Sequence, residues 1–199
     1  MDGGTYLQVE GDITRLRPAC WGFNQADLLK RYHWSLNDEL QYWSGSIPGG
    51  RSFSQFVDTV AGRDWPEDGR RVSYAILTKE DELIGMVSCY NIDRRWPNRL
   101  EGELGVYLGE QSCWGRGYGT DAVRSFLGHL FRDLEFSMIY LHTYENNLRA
   151  QKSYLRVGFE VDETKRRYSP RVGYHNELRM TMTREQYSQR YRELQPAGR

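Results

Sequence analysis

The segment that most constrains this chain is Trp114-Gly115-Arg116-Gly117-Tyr118-Gly119, a loop with glycine at alternate positions that runs straight into an amphipathic helix. From Thr120 onward, Ala122, Val123, Phe126, Leu127, Leu130, Phe131 and Leu134 form one apolar stripe, the pattern of a helix laid on a core. The glycines let the backbone turn tightly and leave nothing to block an approaching ligand. A helix that starts there presents unpaired N–H groups and the positive end of its dipole. Such a terminus binds phosphate or pyrophosphate, and Arg116 adds a positive charge. No Gly-Lys-Ser or Gly-Lys-Thr follows, which excludes a Walker A loop. The dinucleotide fingerprint needs another glycine spacing and a place near the chain's beginning. By itself the loop fits a phosphate site and a plain connecting turn about equally.

The elements around the loop mix strands and helices. Ile13 to Pro18 reads as a first strand, and Asn24 to Trp43 as broken helix with Asn24 and Asn37 as caps. Pro48-Gly49-Gly50 interrupts the chain before a helix bearing Phe53, Phe56, Val57 and Val60 on one face. Asp64 to Arg70 is a loop. Val72 to Leu77 and Leu83 to Asn91 form a hairpin around an acidic turn. After a loop over Asp93 to Arg99, Glu101 to Leu108 alternates, with Leu104, Val106 and Leu108 on one side and Glu103, Gly105 and Tyr107 on the other. Gly102 and Gly105 suggest a bulge or a close backbone approach in that strand. Beyond the apolar helix, Met138 to Tyr144 is a strand, and Leu148 to Val157 a short helix ended by Gly158. Phe159 to Tyr168 and Tyr174 to Thr183 make a last hairpin, followed by a short polar helix and a tail to Arg199. The order predicts one α/β (α+β) domain over 1–199 on a mixed, mostly antiparallel sheet flanked by helices.

Composition narrows the function classes. With 199 residues the chain suits one domain with a substantial core. Its formal net charge of +0 argues against a nucleic-acid backbone as main partner. Cys20, Cys89 and Cys113 form an odd set without a CxxC pair, which reads as free thiols in a reducing compartment. Met1-Asp2-Gly3-Gly4 lacks the features of a signal peptide, and no apolar run approaches the roughly 20 residues of a membrane span. The expectation is a cytoplasmic protein without membrane or nucleic-acid partners; monomer and homodimer both fit.

A second motif follows the loop: Asn147, Ala150, Tyr154, Gly158 and Phe159 match Asn-x-x-Ala-x-x-x-Tyr-x-x-x-Gly-Phe. Together with the glycine loop in that order, the stretch Leu104 to Phe159 resembles the acetyl-CoA core of the GNAT superfamily of N-acetyltransferases. With Trp114 ahead of the first glycine and Gly173-Tyr174 to Met182 near the end, it is similar to the branch of ribosomal-protein-alanine and spermidine acetyltransferases. The resemblance covers the C-terminal half well and the N-terminal half in outline.

It implies a sheet splayed between its fourth and fifth strands, here Glu101–Leu108 and Met138–Tyr144, with acetyl-CoA as co-substrate in the gap. The acetyl-CoA core would span about 100–160, and acceptor-side elements about 20–65 and 165–183. By resemblance, backbone amides of Gly115, Gly117 and Gly119, with Arg116 nearby, hold the pyrophosphate. Asn147 meets the pantetheine or acyl region. A backbone N–H near Val106, Tyr107 or Leu108 stabilises the oxyanion. Trp114, Tyr118, Thr120 and Ala150 complete the cofactor set.

Acetyl transfer to an amine of pKa about 10 needs a base or a desolvating site. Glu103 is the candidate base, with Glu101 as understudy, and a surface strand carboxylate is an almost equally good reading of it. Tyr154 stands where the family often uses a tyrosine as general acid toward sulfur. Cys113 adjoins the loop, but a catalytic thiol needs a neighbouring base and the resemblance implies direct transfer, so it reads as a bystander. His33, His129, His142 and His175 lack metal-ligand spacing, and no metal is expected. Lys165-Arg166-Arg167, with Arg171, reads as a solvated hairpin.

The acceptor is expected in a cleft of Tyr32, Trp34, Tyr42, Trp43, Trp96, Tyr168 and Tyr174 with Asp38 and Glu39, suited to a cationic amine. Polyamines, aminoglycosides, amino-sugars and protein N-termini all answer that description. A non-catalytic acyl-CoA or ligand sensor, and an acyltransferase using a longer acyl-CoA or a hydroxyl acceptor, are the competing readings.

Overall fold

The computed structural model describes residues 7–43, 50–64, 69–95, 99–170 and 172–192. Met1–Gly4, Pro48, Gly49, Trp96, Arg171 and the tail 193–199 lie outside the described residues.

The strands are β1 (Val9–Glu10), β2 (Thr14–Pro18), β3 (Val72–Thr78), β4 (Leu83–Arg95), β5 (Arg99–Leu108), β6 (Met138–Tyr144), β7 (Glu160–Ser169) and β8 (Gly173–Thr183). The helices are α1 (Gln25–Leu36), α2 (Asp38–Trp43), α3 (Phe53–Asp64), α4 (Tyr118–Arg132), α5 (Leu148–Val157) and α6 (Arg184–Arg192). Among the described residues the strands form one sheet in the order β1-β2-β3-β4-β5-β6-β8-β7. Each neighbouring pair is antiparallel except β5 with β6, which is parallel. The splayed strands expected fourth and fifth are therefore β5 and β6, because the short β1 precedes them.

Side-chain caps set the helix starts. Asn24 Oδ1 accepts the Asp27 N–H at 2.8 Å, and Asn37 Oδ1 accepts the Leu40 N–H at 3.1 Å, so one helical stretch divides into α1 and α2. Gly158, at φ +116°, ends α5 in a conformation that side chains rarely adopt.

The central strands are covered on both faces, and every residue of β3 is buried. Tyr74 and Ile76 face α4, whose Ala122, Val123, Phe126, Leu127 and Leu130 are fully buried against β2–β6. Ala75 and Leu77 face the other way, toward Trp34 of α1 and Leu40 of α2. Each fully buried Leu or Phe contributes about 2 kcal/mol of transfer free energy. The expected stripe runs past its helix: α4 stops at Arg132, and Leu134 packs on the core from the turn that follows.

The glycines of β5 meet the expected bulge and close approaches, the approaching groups being side chains. The bulge lies in β4, where the register shifts between Tyr90 and Asp93. A Cβ at Gly102 would sit 2.3 Å from Cys89 Sγ, and one at Gly105 would sit 2.9 Å from the Tyr90 ring. Neighbouring side chains exclude larger residues there.

Candidate active site

The pairing of β5 with β6 is short. Glu101, Gly102 and Glu103 face Met138, Ile139 and Tyr140, and beyond them the strands part. β6 continues beside β8 to Tyr144, and β5 continues beside β4 to Leu108. Main-chain groups on the two parting edges are thus left for a ligand or for side chains. One is taken internally, since Trp114 Nε1 donates to the Leu108 carbonyl at 2.9 Å.

A cleft of about 800 Å³ opens at the parting. Of the residues expected to hold the cofactor or act on it, the cleft is lined by Val106, Tyr107, Leu108, Trp114, Gly115, Gly117, Gly119, Thr120, Asn147, Ala150 and Tyr154. Arg116 and Tyr118 do not line it. Arg116 donates to the Ser112 carbonyl at 3.4 Å, and its guanidinium lies 5.7 Å from the Tyr118 ring centroid.

The backbone of the glycine loop suits a diphosphate. Gly115 and Gly117 have φ of +72° and +92°, values that favour glycine. A Cβ at Gly115 would meet nothing within 4 Å, so conformation rather than crowding dictates the glycine. Gly117 is the N-cap of α4 and no side chain caps that helix, which leaves its first amides directed outward. Across the cleft, Thr120 and Ser153 share a hydrogen bond of 2.8 Å that ties α4 to α5. Asn147 Oδ1 accepts the Ala150 N–H at 3.2 Å as the cap of α5. Arg149, Lys152 and Arg156 supply positive charge from α5. These features fit coenzyme A: amides for the diphosphate, parted strands for an extended pantetheine, and a basic helix for further phosphate.

Tyr154 lines the cleft. It is 8% exposed, packs on Phe159 with centroids 5.9 Å apart, and burial pushes its phenol up to about 12. It therefore keeps its proton throughout the physiological range, as a donor must.

Glu103 occupies a sheltered position beside the cleft rather than on its wall. Its Oε1 lies 2.9 Å from His142 Nδ1, and its Oε2 accepts from Asn91 Nδ2 at 2.9 Å. His142 and Tyr90 line the cleft in its place. Burial first, and then the Glu103 charge, push the Tyr90 phenol above its ordinary value. Spacing along the chain could not single out His142. Its alternation with Tyr140 on β6, the strand beside Glu103, was the available signal. Glu101 falls outside the cleft, in a polar groove across β5, β6, β8 and β7.

The acceptor side differs from the aromatic and acidic cleft expected. Trp34 and Trp43 line it, joined by Phe56, Met86 and Tyr90. Tyr32 instead ties α1 to α3 through the Arg51 carbonyl and the Phe53 and Phe56 rings. Tyr42 packs on Trp43, and Glu39 accepts from Gln111. Tyr168 and Tyr174 meet edge to face at the exposed hairpin. Asp38 is also absent from the lining. Asp64 is the one carboxylate among the described lining residues, and it pairs with Arg31 at 2.5 Å. The wall is basic because Arg149, Lys152 and Arg156 of α5 line it, whereas Asp38 and Glu39 of α2 are outside the lining.

Other residues take structural positions. Cys113 is buried on the cleft wall, and no described base bonds its thiol. Cys20, Cys89 and Cys113 are free thiols. His129 bridges Tyr74 and Asp133, and His175 packs on Tyr144. Lys165 and Arg167 pair with Glu163 and Glu177, while Arg166 lies over Tyr174. Among the described residues, no group of three His, Cys, Asp or Glu side chains is placed to share a metal ion. No described helix is long and apolar enough to cross a membrane.

The arrangement has counterparts in known proteins. The chain is 25% identical over 142 residues to human alpha/beta-tubulin-N-acetyltransferase 9, covering 65% of this chain and 66% of that protein. It is 25% identical to the uncharacterized N-acetyltransferase p20 of Bacillus licheniformis, over 67% of this chain and 78% of that one. The spermidine N-acetyltransferase from Vibrio cholerae, solved with CoA and spermine, superposes with a TM-score of 0.75 at 19% identity, over 87% of this chain and 97% of that one. A GNAT-family acetyltransferase from Bacillus anthracis gives 0.70 at 11% identity, over 90% and 99%. At such identities the superpositions speak for the fold. Residues 16–160, which hold both the parted strands and the glycine loop, match the family model of the acetyltransferase (GNAT) domain, and the chain belongs to that family.

Proposed function

We propose that this protein transfers an acetyl group from acetyl-CoA directly to a primary amine. One observation carries the reading: the uncapped start of α4 and the parted strands open into a single cleft whose lining includes Tyr154 and His142. Donor and acceptor can therefore meet within one cavity, as direct transfer requires.

The chain's own groups divide the work. Amides of Gly115, Gly117 and Gly119 hold the diphosphate, with α5 cations nearby. Asn147 and Ala150 flank the acyl arm, while amides of β5 around Val106, Tyr107 and Leu108 receive negative charge developing on the acyl oxygen. Tyr154 donates toward the departing sulfur. The base side of the site centres on Glu103. When bound, acetyl-CoA supplies the activated thioester.

The acceptor is an amine, in keeping with the N-acetyl transfer named for the similar spermidine and tubulin enzymes. The charge of the wall favours an amine with one positive charge over a polyamine, because Asp64 is already paired with Arg31. The test is release of free thiol from acetyl-CoA against short peptides, amino-sugars, aminoglycosides and spermidine. Turnover is expected, fastest with a singly charged amine. Tight acetyl-CoA binding without turnover on any amine would remove the catalytic reading and leave a sensor.

A further inference from the structure

The base side of the site contains an arrangement that the catalytic reading has not used. His142 lies on β6 with its side chain 30% exposed, and it lines both the acyl cleft and the polar groove across β5, β6, β8 and β7. It stands where the two spaces meet. Its Nδ1 is 2.9 Å from Glu103 Oε1, and the Glu103 side chain is only 14% exposed. The other carboxylate oxygen is held by Asn91 Nδ2 at 2.9 Å. Asn91 has φ of +50°, an uncommon conformation for a residue with a side chain, and it sits in the β4 bulge. Bulges beside functional sites re-aim side chains. Here the bulge delivers an amide to one oxygen of Glu103 while the histidine takes the other. The Tyr140 ring meets the imidazole edge to face at 5.7 Å and limits its rotation.

An ionised carboxylate accepts hydrogen bonds and cannot donate them, so Glu103 fixes His142 as the tautomer with the proton on Nδ1. Nε2 then carries a lone pair. We infer that His142 Nε2 is the atom that takes the proton of the acceptor amine, and that Glu103 is a positioning residue that sets its tautomer and orientation. This rests on the acetyl-transfer reading and refines its base.

The protons balance as follows. One proton of the ammonium passes to His142 Nε2 and then to solvent. The freed amine forms its bond to the acyl carbon as the carbon–sulfur bond breaks. Sulfur takes the Tyr154 proton, and the second proton lost by the nitrogen restores the phenol. The products are an amide, a thiol and one proton released.

The experiment uses the full chain in two arms. The first is nitrogen-15 NMR of histidine-labelled protein at a pH where the ring is neutral. The parent should show the His142 proton on Nδ1, and Glu103→Ala should mix the tautomers. A parent with the proton on Nε2 overturns the inference without reference to activity. The second is steady-state kinetics with thiol release as readout. His142→Gln should lower kcat about 100-fold or more and leave acetyl-CoA KM unchanged. Added imidazole should restore part of the rate of His142→Ala. A parent that turns over while His142→Gln matches its kcat overturns the assignment and leaves acetyl transfer intact. A parent inert with every amine overturns both.

Discussion

The guanidinium of Arg149 lies 3.7 Å from the ring centroid of Trp114, and both residues line the cleft. Trp114 follows β5 and Arg149 opens α5 just beyond β6, so this one pair bridges the two banks of the parting. Trp114 also donates to the Leu108 carbonyl, the last residue of β5.

Trp114→Ala removes a cation–π contact and that hydrogen bond together. The two are worth about 1–2 kcal/mol, which is about tenfold in acetyl-CoA Kd. Calorimetric titration of acetyl-CoA reads this directly. An unchanged Kd would mean that the bridge holds the fold alone.

Gly117→Val should weaken acetyl-CoA binding more than Gly119→Ala. A β-branched residue at φ +92° costs about 1–3 kcal/mol of strain and turns the first amides of α4 away. At Gly119 an added Cβ meets only the end of Leu108, at 3.3 Å. Equal affinities for the two variants would detach the loop from diphosphate binding.

Tyr154→Phe keeps the ring packed on Phe159 and removes only the hydroxyl. The expected result is a kcat lower by about 100-fold with acetyl-CoA Kd nearly unchanged. Burial raises this phenol, so its proton stays in place through neutral pH, and the loss should not depend on pH there. Equal rates in mutant and parent would take Tyr154 out of the mechanism.

Acid stability should depend on Asp121, which is 7% exposed at the start of α4. Burial alone would raise its carboxyl, but the Thr14 hydroxyl and the N–H groups of Asp12, Ile13 and Thr14 outweigh that and hold it below the usual range. A folded value below the unfolded one stabilises the protein above the unfolded pKa of about 3.9 and is lost as pH falls through the folded value. Asp121→Ala should therefore lower stability by about 3 kcal/mol at neutral pH and flatten the acid limb of Tm against pH. A variant that keeps the parental acid limb would assign that limb to other groups.

Much of this architecture was legible in the chain because it rests on local rules. Asn24 and Asn37 mark helix starts through their own side chains, and Gly117 and Gly158 mark backbone conformations that other residues resist. The stripe from Ala122 to Phe131 declares a buried helix by its period alone. These signals span a few residues each, and the two GNAT motifs are built from them. What only the tertiary structure decided depends on contacts across long separations. Cys89 and Tyr90 claim the space over Gly102 and Gly105, Asp38 and Glu39 of α2 stay out of the cleft lining, and Glu103 meets His142 thirty-nine residues away. Strand order and the extent of β5–β6 pairing set those meetings. No local period encodes them, because the partner that fixes each side chain belongs to another strand.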